Sequence, residues 1–396
     1  MKATVFTDEA IREQAGRFVW LEIDTDKARN AAFREQFPVR ALPTYLVVEP
    51  EREQVILRWV GGATVPQLLG LLDDAEENFA RVRAGAPAAT PAADAATLLA
   101  EADLLYGEGS NAEAAAKYRQ AIAAAPEDWD DYSRAVESLL IHWSIQGEAA
   151  PAVELAREAY PRLSGTTSVA VVAGLGLDCA LQLPDEDPSK AANVEFFEIA
   201  TRRAAEDRSI PIADDDRSGL YISLLGARDA AGDSAGVHAA AQEWSTFLDE
   251  AAAQARSPEA RTTLDSHRLS AYLELGTPEK AVPMLEQSER DFPQDYNPPA
   301  RLAVAYRAME RWDDALAASD RAVALAYGPR LLGYLGTRAS IQVGMGDVDG
   351  ARATLEDAIR QAEEMPPGQR SERTIDSLRA KLAALEPTDG GAEGDG

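Results

Sequence analysis

From Thr97 to about Leu385 the sequence is alanine-rich and helical almost without interruption, and a small residue recurs in it at a spacing that limits what the chain can become. Ala114, Ala152, Ala192, Val237, Ala281, Ala315 and Ala351 follow one another at intervals of 38, 40, 45, 44, 34 and 36 residues. The first unit is the clearest. Leu98, Glu101, Ala102, Leu105, Tyr106 and Gly109 lie on one helical stretch, and Ala114, Tyr118 and Ala121, followed by Pro126, lie on the next. Small residues at such offsets let two helix backbones approach, and a proline ends the second helix. The pattern predicts about seven helical hairpins over residues 97–385, regular at Ala114, Ala281, Ala315 and Ala351. Around Ala192 and Val237 it is stretched by the polar insertions at 183–188 and 208–216. Hairpins of this kind cannot bury their faces alone, so neighbours must stack.

The 396 residues carry a formal net charge of −28, of which residues 1–84 hold 11 Lys+Arg against 14 Asp+Glu; nearly all the excess acid lies beyond them. Such a surface argues against nucleic acid or an anionic membrane as partner, since both select basic surfaces. One cysteine, Cys179, allows neither an internal disulfide nor a thiolate metal cluster. His142, His238 and His267 are too scattered to form a metal-ligand pair. No run approaches the ~20 apolar residues of a membrane span, and Met1–Val5 lacks the apolar core of a secretion signal, so a cytoplasmic location is expected.

Residues 1–84 have a different grammar. Phe6 to Ala15 has helical spacing, with Thr7 or Asp8 as cap and Glu9 in the first turn. Phe18 to Asp24 reads as a strand. Lys27 to Phe37 reads as a short helix with Ala28, Ala31, Ala32 and Phe33 inward. Pro43 stands directly before the β-branched and aromatic run Thr44 to Val48, where a proline fits only at a strand's first position, and a cis Leu42–Pro43 bond there would expose the preceding residue's backbone groups to a partner. Glu49 to Glu53 is a polar turn, Val55 to Val60 the returning strand, and Gly61-Gly62 a break. Thr64 and Pro66 then open a helix that runs to about Arg83 with Leu68, Leu69, Leu71, Leu72, Ala75 and Phe79 on one face. Residues 85–96, with Pro87 and Pro91, read as a linker, and the acidic, glycine-rich residues 386–396 as a disordered tail.

Two resemblances follow from these residues. Strand, Asp24-Thr25-Asp26, helix, Phe37-Pro38-Val39-Arg40-Ala41-Leu42-Pro43-Thr44, hairpin, Gly61-Gly62 and helix resemble the later three quarters of a thioredoxin-like α/β domain. That family places a first strand and a Cys-x-x-Cys ahead of these elements, and here residues 1–84 contain no cysteine. The resemblance therefore implies an incomplete sheet and no thiol chemistry in the chain as given, and leaves two readings open: ~20–30 further residues upstream of Met1 that supply the missing strand and motif, or a degenerate domain retained for packing. Ala102, Ala114, Tyr118, Ala121 and Pro126 resemble the tetratricopeptide repeat, which implies an all-α solenoid whose concave face receives a protein or peptide client. The positions matching the carboxylate clamp of some chaperone-binding relatives are Leu99, Asp103, Glu137 and Ile141, so a clamp is absent and a client of basic or apolar character is expected.

The remaining chemical candidates read as structure. Cys179 sits in an apolar helical run with no basic neighbour. Gly174-Leu175-Gly176 has neither the preceding strand nor the lysine of a phosphate loop. Asp214-Asp215-Asp216 lacks the spacing of a calcium loop and reads as a solvated turn. His142, Trp143 and Trp244 are expected in cores, Asp24 and Asp26 have no acid/base partner, and no serine stands in a nucleophile elbow. The expected function is a scaffold or co-chaperone, redox-inactive and without cofactor. Its peptide-contact candidates are Leu42, Pro43 and Thr44. The alternative is a thiol-disulfide oxidoreductase whose Cys-x-x-Cys lies upstream of Met1.

Overall fold

The computed structural model describes residues 5–84 and 94–386. Most of the expected linker, residues 85–93, and the expected tail from 387 onward lie outside them. Asp8 caps α1 (Glu9–Arg12) by accepting the N–H of Ala10, so the first helix is one turn of the ten residues expected. A 3-10 turn (Ala28–Asn30) leads into α2 (Ala31–Gln36). The antiparallel hairpin β1 (Thr44–Glu49) and β2 (Gln54–Val60) follows, with a register shift at Val47/Val48. The Leu42–Pro43 bond is cis and stands at the entry to β1. Thr64 and Gln67 form a reciprocal capping box at the start of α3 (Val65–Ala84), with Pro66 in its first turn.

The helices that follow come in pairs: α4 (Ala95–Glu108) with α5 (Asn111–Ala124), α6 (Tyr132–Gln146) with α7 (Ala149–Ala159), and α8 (Ser168–Gln182) with α9 (Lys190–Glu206). Next come α10 (Asp214–Ala230), α11 (Ser234–Gln254) and the short α12 (Pro258–Thr262). Then α13 (Asp265–Glu274) pairs with α14 (Ala281–Asp291), α15 (Asn297–Ala308) with α16 (Trp312–Leu325), and α17 (Gly328–Gly344) with α18 (Val348–Glu363), before α19 (Glu372–Ala383). Apart from Val237 on α11, each recurrent small residue lies in the second helix of one of these pairs. Ala114, Ala152, Ala281, Ala315 and Ala351 are fully buried where the backbones approach, whereas Ala192 is exposed and Val237 half-buried. Ala102, Tyr118 and Ala121 are likewise buried.

Two compact units divide the chain: residues 1–18 with 39–248, and residues 19–38 with 249–396. In the first, β1, β2 and α3 enclose an apolar core of Val5, Ile11, Leu57, Trp59, Ala63, Leu68, Leu71 and Ala75. β2 also packs on α4, where Gly107 lets the backbone of Val55 come so close that a methyl group would meet its carbonyl oxygen. In the second, one core gathers α13 to α16 around Leu285, Leu302 and Ala303, and another gathers α17 to α19 around Leu335, Leu355 and Ile375.

The strand expected at Phe18–Asp24 does not form. Phe18 makes one isolated bridge to Ala15, residues 19–24 lie outside the sheet, and Val19 and Leu21 are 89% and 75% exposed. β propensity needs a neighbouring strand to take up the peptide groups, and among the described residues the sheet has only β1 and β2. The helix expected at Lys27–Phe37 is also modified. Ala31 and Phe37 are buried and Phe33 half-buried, but Ala28 and Ala32 face outward because the segment begins as a 3-10 turn.

Candidate interaction surface

In the first unit the hairpin and α3 lie on the first helices of the neighbouring pairs, and a polar ladder fixes them there. Asn78 of α3 donates through Nδ2 to the carbonyl of Ile56 at 3.0 Å and to Asp103 of α4 at 3.4 Å. Asp103 also accepts from the Tyr118 hydroxyl at 2.7 Å and pairs with Arg134 of α6 at 2.5 Å. The same guanidinium reaches Asp74 of α3 at 2.6 Å. Burial pushes the Asp74 carboxyl up to about 6 against the pull of Arg134. Further along, the Gln67 amide accepts from the N–H and hydroxyl of Thr64, and its Nε2 donates to Glu137 of α6 at 3.3 Å. Glu137 is 1% exposed, and desolvation, with a smaller push from Asp216, outweighs the Ser168 hydrogen bond and raises its carboxyl to about 7.

This arrangement changes the reading of the first-helix positions. Asp103 and Glu137 are not a surface that awaits a client: both are about 1% exposed and bonded to α3, and Leu99 is buried beside them. Sequence spacing identified the helix face but could not show that the chain's own hairpin and α3 lie upon it.

The loop Val39–Pro43 stands at the open side of the hairpin. The N–H of Gly61 donates to the carbonyl of Pro43 at 2.9 Å, and Tyr45 faces Trp59 in the register. Alternation along an antiparallel strand therefore turns the peptide groups of Thr44 and Leu46 away from β2, toward an edge with which no described strand pairs. Leu42 beside that edge is 65% exposed. Thr44 folds its hydroxyl back onto the carbonyl of Ala41 at 2.7 Å, and Arg40 donates to Gln146 at 3.2 Å, so the loop is held while its apolar tip is presented.

Elsewhere the chemical candidates are structural. Cys179 is buried and desolvation pushes its thiol up to about 11, far from a reactive thiolate. His142 is buried edge-on to Tyr106 at 5.0 Å, and burial, reinforced by the charge of Arg40, lowers its pKa and favours the neutral ring. Trp244 is buried and donates to Ser218 at 2.6 Å. Asp214, Asp215 and Asp216 form the first turn of α10, where a helix terminus favours acids, rather than a free turn. Among the described residues no group of three or more His, Cys, Asp or Glu could hold a metal ion, and no helix is long and apolar enough to cross a membrane.

No family model and no curated protein matches the chain. Among solved structures it is similar to a tetratricopeptide repeat protein from Parabacteroides merdae, with 12% identity over 74% of this chain and 98% of that one and a TM-score of 0.47. It is also similar to BtubC from P. vanneervenii, with 18% identity over 64% of this chain and 96% of that one and a TM-score of 0.38. A third similar structure is the TPR2AB domain of yeast Sti1 in its pHSP90 complex, with 16% identity over 63% and 98% and a TM-score of 0.27.

Proposed function

We infer that the chain is a protein-interaction scaffold that receives an extended peptide along the free edge of β1, beside Leu42, Pro43 and Thr44. The observation that carries this reading is the open edge itself: outward peptide groups at Thr44 and Leu46, flanked by an exposed apolar Leu42 on a tethered loop. Backbone groups at such an edge supply affinity to an added strand, and the flanking side chain supplies selectivity. A client face on the first helices of the pairs is disfavoured at α4 and α6, where Asp103 and Glu137 already serve α3.

A test starts from peptides selected on the full chain from a random library. Leu42→Asp is expected to weaken their binding by at least about tenfold without lowering the melting temperature. Isotope-edited spectra should place their shifts on residues 42–48. Unchanged affinity, or shifts confined to the helix pairs, would contradict the reading.

A second reading keeps the thioredoxin-like resemblance. It is favoured by the loop, hairpin and helix over residues 38–84, which appear in the order that resemblance implies, and disfavoured by the missing strand at Phe18–Asp24. On that reading the same loop would hold a substrate strand against a Cys-x-x-Cys supplied by residues outside the given sequence.

A further inference from the structure

Residues 24–37 run as a strap along the loops that join successive helix pairs of the second unit. Asp24 organises its head: the carboxylate accepts the N–H of Asp26 at 3.0 Å, and the carbonyl accepts Nδ2 of Asn30 at 2.8 Å. The loop edge reads this head group by group. Tyr327 donates its hydroxyl to Asp24 at 2.6 Å, Arg330 lies 3.6 Å from the Asp26 carboxylate, and Gln369 donates Nε2 to the carbonyl of Thr25 at 2.9 Å. Burial acts to raise the Asp24 carboxyl, but the Tyr327 hydroxyl, the Asp26 N–H and Lys27 together hold it below the usual carboxylate range.

Two glycines take the strap's backbone. A methyl group at Gly328, where φ is +57°, would run into the carbonyl oxygen of Asp26, and one at Gly368 would meet that of Ala31. Behind the head, Ala31 and Phe37 are buried, and the Phe33 and Phe37 rings meet at 4.9 Å. Donors aimed at a backbone carbonyl, a cation and a hydroxyl aimed at two carboxylates, and glycines that admit a peptide backbone are the parts of a peptide receptor. The head contacts are partly exposed and individually weak, so much of the strap's hold comes from its tether, which gives it a high local concentration.

We propose that the edge formed by Tyr327, Gly328, Arg330, Gly368 and Gln369 is a peptide-binding site, filled here by the chain's own residues 24–37, whose outside ligand is a peptide of the same chemistry. That ligand carries an Asp-x-Asp turn followed by a short helix with an apolar face.

The test uses the full chain carrying Asp24→Asn and Asp26→Asn, which loosens the strap and leaves the receptor edge intact, titrated with a labelled peptide spanning Glu22–Pro38. Hydrogen exchange in residues 24–37 should rise while α15 to α17 stay protected. The peptide should then bind saturably, at least tenfold tighter than to the unaltered chain, and lose about two- to fivefold when Arg330→Ala is added. Gly328→Ala should free the strap yet bind no peptide, because the methyl group occupies the site itself. Three outcomes would overturn the proposal: an opened strap with no peptide binding, a strap that stays protected in the double variant, or equal binding of a peptide whose two aspartates are asparagines.

Discussion

Replacing Arg134 with alanine is expected to destabilise the first unit by about 3–5 kcal/mol at neutral pH, the cost of leaving buried carboxylates without their cation. Arg134 serves two acids at once, Asp103 of α4 and Asp74 of α3, and Asp103 is almost fully buried. Without the guanidinium, Asp103 keeps only the Tyr118 hydroxyl and the Asn78 amide, and burial pushes the Asp74 carboxyl further up. A buried acid whose folded pKa rises further without its cation is less unfavourable when protonated, so Asp74's share of the loss should shrink as the pH falls toward about 6. Denaturant unfolding of wild type and variant at pH 5 and pH 7.5 measures it. A loss below about 1 kcal/mol at both values would mean that the ladder is not what holds α3 to α4 and α6.

Glu137 is expected to make the same unit more stable in mild acid than at neutral pH. Its carboxyl is raised from the ordinary value of 4.5 to about 7 by desolvation. A raised folded pKa gives a contribution that is fully present below the unfolded value and is lost as pH climbs through the folded one, so the loss falls between about pH 4.5 and 7. Its size is up to about 3 kcal/mol, from the free energy attached to each pKa unit. The groups that face Glu137 are the Gln67 amide from α3, Ser168 from α8 and Asp216 from α10. None is a cation that would hold the charged form. Glu137→Gln should therefore flatten the pH profile over this range and raise the midpoint of unfolding at pH 7.5. An unchanged profile would place the titration elsewhere.

How much of this was legible in the sequence depends on the range of the contact. The helix pairs were readable because Ala114, Ala281, Ala315 and Ala351 stand where two backbones must approach, which is a local and periodic demand. Ala192 stood at the same nominal spacing and is exposed, because the insertions on either side of α9 reset the offset that makes the position buried. The hairpin and α3 were readable from Pro43, Gly61-Gly62 and Thr64, each a boundary residue for a local reason. Phe18–Asp24 was misread for the converse reason: its residues favour a strand, but a strand is formed by its neighbour, and Asp24 is instead engaged by Tyr327, 303 residues later.

The candidate surfaces were only partly legible. Leu42, Pro43 and Thr44 could be singled out because a proline at a strand's first position marks a loop. Nothing local signals that Asp74, Asp103 and Arg134 meet, since the residues are spread over 60 positions and each alone reads as an ordinary charge on a helix. The one signal available was an arginine and acids placed on first-helix positions that should have faced outward. Gly328 and Gly368 carried no signal either, because what they admit is backbone from residues 26 and 31.

The central claim is that the first unit's hairpin and α3 occupy the face of α4 and α6, which leaves the β1 edge as the open surface. Hydrogen exchange of the full chain, resolved by residue, tests it most directly. Amides of β2 and of α3 from Leu68 to Asn78 should open together with those of α4 and α6, at the same denaturant concentration, while the outward amides of Thr44 and Leu46 exchange early. Free exchange in β2 and α3 while α4 and α6 remain protected would contradict the account.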